Sequence, residues 1–113
     1  MKHNVEVRRW VWQRLSALGL IPLTLWFAAM LFEHRGAGRG EILAWLVSPV
    51  AVLPLAALLA VMLFHMNLGV REVIEDYVHN ARCEHAALRA NNLASWLLAL
   101  LGIAALARLA FGG

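Results

Sequence analysis

One histidine stands where the sequence is otherwise free of ionisable groups. His65 lies in the uncharged run that opens after Glu41, at Ile42, and continues to Val70, just before Arg71 and Glu72. Polar groups inside such a run are costly enough in a membrane to be candidates for function. A neutral imidazole has no charge to desolvate; one nitrogen can coordinate a metal such as haem iron while a neighbour orients the other. The same ring could equally form a hydrogen bond between helices, and its position alone leaves both readings open. Met62 and Met66 flank it and read as packing residues. Gly69, one turn further on, removes side-chain bulk from the same face and could admit a flat ring or a neighbouring helix.

Two further groups carry chemistry. Asp76 and Tyr77 sit together past the end of the uncharged run, about 11 residues and roughly 16 Å of helix beyond His65. A phenol can donate a hydrogen bond to a reducible carbonyl and a carboxylate beside it can relay a proton, although acidic, aromatic helix ends also occur without a chemical role. Arg14 immediately precedes the first uncharged run. Its guanidinium could pair with a propionate or a quinone oxygen, or simply snorkel to the interface. The other histidines, His3, His34, His79 and His85, fall in water-facing segments, so a second axial ligand at the depth of His65 must come from another chain. Cys83 is the single cysteine, which excludes an intrachain disulfide and any zinc or iron–sulfur site held by cysteines of this chain.

The elements that position these residues follow from hydropathy. The chain has 113 residues, of which 62% are hydrophobic and 15% charged, a composition outside that of soluble domains. Charges collect between long apolar runs, and the expected fold is an all-α membrane protein with three transmembrane helices in a single domain, 1–113. The spans are expected at about residues 15–32, 46–74 and 93–111, lengths that match a hydrocarbon core of about 30 Å. Pro22 is tolerable within a membrane helix, and Pro49 or Pro54 can open the second. Ile42 to Ser48 then lies in the interface or forms a kinked first turn. The segment 33–41 (EHRGAGRGE) reads as a loop, and 71–89 as a polar link whose start prolongs the second helix. Asn91 or Asn92 can cap the third helix, which is expected to end against Gly112 and Gly113.

Charge sets the expected orientation. Lys2, Arg8, Arg9, Arg14, Arg71, Arg82 and Arg89 fall on one side, and Arg35, Arg39 and Arg108 on the other. The positive-inside rule places the amino terminus in the cytoplasm and the carboxyl terminus in the periplasm. Trp10, Trp12, Trp45 and Trp96 fall near span ends, as interfacial aromatics do. The first apolar run is as long as a span and lacks a small-residue cleavage site, so a retained amino terminus is expected. Arginines scattered over several junctions argue against nucleic-acid binding despite the net charge of +3. A proton-coupled multidrug-type transporter would want an acidic residue within a span, and these spans have none.

The stretch His65 to Asn80 (HMNLGVREVIEDYVHN) closely resembles the second-helix motif of the small hydrophobic membrane anchor of bacterial succinate dehydrogenase, with its pattern H-x-x-x-G, six residues, D-Y-V. Arg14-Leu15-Ser16-Ala17 is similar to the segment around that family's arginine before the first span. The resemblance implies an anchor without dehydrogenase activity of its own, in the bacterial inner membrane, in a helix bundle shared with a second membrane anchor subunit. The flavoprotein and iron–sulfur subunits would be its other partners. It implies haem b shared with the second anchor subunit and ubiquinone as substrate. His65 would be an axial haem ligand, Arg14 a residue near the propionates and quinone pocket, Tyr77 the donor to the quinone carbonyl, and Asp76 a support for proton uptake. A fumarate reductase anchor would share this architecture, and a non-catalytic membrane protein would need neither His65 nor the Asp76–Tyr77 pair.

Overall fold

The structure is a computed structural model that describes residues 2–111, with side chains from Asn4 onward. Expectations placed on the His3 side chain and on Gly112 and Gly113 lie outside the described residues. The chain forms α1 (Lys2–Glu33), α2 (Arg39–Leu46), α3 (Pro49–Tyr77) and α4 (Ala81–Ala110). Three of these, α1, α3 and α4, are long and apolar enough to cross a membrane, as expected from the uncharged runs. The long axis of 51 Å exceeds a hydrocarbon core of about 30 Å, so the helix ends reach into the headgroup layers and water.

α3 is the middle helix. It packs against α1 on one side and α4 on the other, and among the described residues α1 and α4 do not meet. Ala51 and Leu63 of α3 are the buried apolar residues, while large side chains such as Leu18, Leu25 and Leu101 are exposed. A water-soluble chain could not leave such a surface uncovered; lipid must cover it, with other helices where a partner is present.

The helix boundaries differ from the hydropathy expectation in instructive ways. α1 starts at Lys2, far upstream of Leu15, because the apolar run marks only the part of a helix that sits in lipid. α2 ends at Leu46, a corner follows, and the second span opens at Pro49, one of the two prolines expected to open it. Ser48 is extended there, its hydroxyl donates to the Trp45 carbonyl at 2.6 Å, and Pro49 takes the first helical position, where a missing N–H costs nothing. At the other loop, Gly36 adopts φ 77°, which favours a residue without Cβ.

Neither Asn91 nor Asn92 caps a helix. α4 begins at Ala81, twelve residues before the expected start at 93, and there Asn80 Oδ1 accepts hydrogen bonds from the backbone N–H groups of Arg82 (2.9 Å) and Cys83 (3.3 Å). With its first turn satisfied there, α4 carries Asn91 and Asn92 in its interior, where both bond to Asn67 of α3.

Candidate functional site

Residues 65 and 67 are about 200° apart around a helix, and α3 uses that spacing to present polar groups to both neighbours. His65 meets α1. Its Nδ1 lies 2.9 Å from Ser16 Oγ, and the same hydroxyl lies 2.9 Å from the backbone carbonyl oxygen of Gln13. Ser16 is the buried polar residue among those described, at 7% exposure, so its hydroxyl has no water to turn to. Asn67 meets α4. Its amide donates to Ser95 Oγ (2.8 Å) and Asn92 Oδ1 (3.1 Å), and its backbone carbonyl accepts from Asn91 Nδ2 (3.0 Å).

Beside His65 runs an open groove of about 360 Å³, lined by Gln13, Met66, Gly69, Val70 and Val73. Gln13 Oε1 is buried without a hydrogen-bond partner. A Cβ at Gly69 would stand 3.6 Å from Gln13 Nε2, so the glycine keeps this wall of the groove clear. One imidazole with its hydrogen bond made through Nδ1, beside an apolar wall, is the single donor here and is compatible with one side of a haem pocket. The opposite wall and second ligand have no source in the described part of this chain. His34 bonds to the Met30 carbonyl oxygen at 2.8 Å and packs against Trp45, 18 residues or about 27 Å of helix from Ser16. His79 and His85 are exposed near the α3–α4 loop.

Asp76 and Tyr77 stand at the end of α3, away from His65. Asp76 lines a cavity of about 540 Å³ with Glu6, Arg9, Trp10, Glu72, Glu75 and Glu84. Tyr77 is 77% exposed and touches no wall of that cavity. Arg14 is exposed and does not line the His65 groove; its guanidinium carbon sits 5.1 Å from the centre of the Trp10 ring, which joins it to the Asp76 cavity. Arg9 donates twice to the Glu75 carboxylate, at 2.5 and 2.7 Å, and thereby fastens α1 to the end of α3. The pair is about a third exposed, so its net worth is at most about 1 kcal/mol; it is made in the same register that brings Ser16 to His65.

Several of these residues carry no clear mark in the sequence. Trp10 reads as an interfacial aromatic and becomes a wall of the Asp76 cavity. Trp12, expected at a span end, packs edge-on against Phe64 in the middle of α3, with ring centres 6.0 Å apart. Ser16 had a usable signal: a hydroxyl inside an apolar helix either bonds back to its own backbone or meets a partner on another helix. Gln13 and Asn67 had no signal beyond polarity.

Residues 1–107 match the succinate dehydrogenase/fumarate reductase transmembrane subunit family. The chain belongs to that family. Among its curated relatives, the succinate dehydrogenase hydrophobic membrane anchor subunit of Rickettsia bellii is 30% identical over 69 residues, which cover 61% of this chain and 55% of the relative. The corresponding subunit of Rickettsia felis is 32% identical over 75 residues, covering 66% and 62%. The matched stretches thus span somewhat more than half the length of these relatives. No solved structure gives a significant match. Family membership establishes a transmembrane subunit of the succinate dehydrogenase/fumarate reductase kind, consistent with the three apolar helices.

Proposed function

We propose that this chain is the anchor subunit of a bacterial succinate:quinone oxidoreductase, holding haem b together with a second anchor subunit and forming part of the ubiquinone site. The observation that carries the haem assignment is His65, half-buried at mid-helix with Nδ1 engaged by Ser16 and a groove beside its ring. The curated relatives carry the name succinate dehydrogenase, which favours succinate oxidation over fumarate reduction as the direction.

Bound haem would supply a one-electron carrier within the membrane span. His65 contributes an uncharged nitrogen donor at a depth where a charged ligand would be expensive. Tyr77 donates a hydrogen bond from its hydroxyl to a quinone carbonyl, and Asp76 supports proton uptake beside it; both stand at the helix end where seven basic residues predict the cytoplasm. Electrons reach that end from a flavoprotein through an iron–sulfur subunit. The high exposure of Tyr77 is that of a side chain awaiting a partner subunit. Arg14 supplies a cation for the quinone pocket or a haem propionate, and its stacking on Trp10 beside the Asp76 cavity favours the quinone.

The deciding measurement is the reduced-minus-oxidised absorption spectrum of the purified complex, with its copurifying chains identified. A low-spin haem b signal that His65→Ala removes or alters, with succinate oxidation by an artificial acceptor preserved, is expected. A spectrum unchanged by His65→Ala overturns the ligand assignment.

A further inference from the structure

We infer that Ser16 is a positioning residue that sets the tautomer of His65 and thereby tunes the iron it holds; the inference rests on the haem reading of His65. Three atoms define the geometry: the Gln13 carbonyl oxygen, Ser16 Oγ and His65 Nδ1, with 2.9 Å between each neighbouring pair. A carbonyl oxygen only accepts, and a hydroxyl has one proton to give. If Ser16 gave that proton to Nδ1, its oxygen would face the Gln13 carbonyl oxygen at hydrogen-bond distance with no proton between them. Both contacts are satisfied in one arrangement only, in which Ser16 donates to Gln13 and His65 Nδ1–H donates to Ser16.

The proton is then on Nδ1, and Nε2 bears the lone pair that coordination requires. Burial makes the choice firm. At 7% exposure Ser16 has no solvent alternative, and the backbone oxygen that holds its proton belongs to its own helix, so the orientation of the hydroxyl is fixed before haem arrives. An Nδ1–H donating to the serine oxygen also raises the electron density of the ring and strengthens it as a ligand, which favours ferric over ferrous iron.

The test uses the whole purified complex with Ser16→Ala, Ser16→Thr, Ser16→Val and His65→Ala variants. Thr and Val have nearly the same volume and differ in the hydroxyl, so they separate hydrogen bonding from packing. The readouts are the haem midpoint potential and the electron paramagnetic resonance g values of the ferric low-spin signal. The expected result is a higher midpoint potential and shifted g values in Ser16→Ala and Ser16→Val, with both restored toward wild type in Ser16→Thr. If His65→Ala abolishes the low-spin signal while Ser16→Ala and Ser16→Val keep the wild-type potential and g values, the Ser16 inference is wrong and the haem reading stands. Equal shifts in the Thr and Val variants also overturn it, because packing alone would then explain them. An unchanged signal in His65→Ala instead removes the haem reading on which the inference rests.

Discussion

The two faces of α3 solve the problem of polar groups in lipid differently. Towards α4, Asn67, Asn91, Asn92 and Ser95 bond to one another across the helix pair, beside a groove of about 250 Å³ that Asn67, Asn92 and Ser95 also line: the Asn67 amide has two acceptors, Asn91 returns a bond to its backbone, and Ser95 donates to the Asn91 carbonyl oxygen at 2.9 Å. Towards α1, His65 is bonded at one nitrogen only, the groove beside it is open, and Gln13 Oε1 has no partner. Satisfied polar groups join two helices. Unsatisfied ones beside an open groove leave room for a further group, which we propose is haem.

The sharpest way to break this comparison is to remove the central residue of each face. His65→Ala is expected to abolish the low-spin haem spectrum, whereas Asn67→Ala leaves it in place and lowers only the yield or melting temperature of the complex. Loss of the haem spectrum in Asn67→Ala at normal assembly would make the α4 face functional too. Next in size is Tyr77→Phe, which removes one hydroxyl and almost no volume. Quinone reductase activity should fall by about 1.5–3 kcal/mol of transition-state stabilisation, roughly 10- to 150-fold, while succinate oxidation by an artificial acceptor is retained. Equal losses in both assays would confine Tyr77 to a structural role.

Smaller effects test the packing on each side. A Cβ at Gly102 of α4 would collide with the Leu59 side chain of α3, so Gly102→Val should destabilise the α3–α4 pair by about 1–3 kcal/mol, read as a lower melting temperature of the complex in detergent. Gly19, whose Cβ would stand 3.7 Å from Val61, should accept alanine with little change, which makes it the matched control on the α1 side. Replacing Asn67 by Leu should cost about 0.6–1.7 kcal/mol in the same assay, the range for hydrogen bonds between membrane helices. Arg9→Ala should cost least, about 1 kcal/mol or under, and high salt should reduce the difference from wild type.

The sequence by itself determined that this is a three-span membrane protein, because about 20 uncharged residues in a row are stable only in lipid and only as helices. It also singled out His65, since one ionisable group in such a run is visible without any partner, and the D-Y pair that ends the same helix. Tertiary structure alone decided which helices touch, and so which polar residues find each other. Lipid is as apolar as leucine, so hydropathy says that a residue is in the membrane without saying which side of its helix meets protein. For that reason Asn91 and Asn92, which read as helix caps, turned out to be partners of Asn67, and Arg14 stacked on Trp10 instead of lining the His65 groove. The pairing of Ser16 with His65, 49 positions apart, depends on the register of α1 against α3. That register shows in contacts such as Arg9 with Glu75 and Trp12 with Phe64, which no periodicity within either helix could reveal.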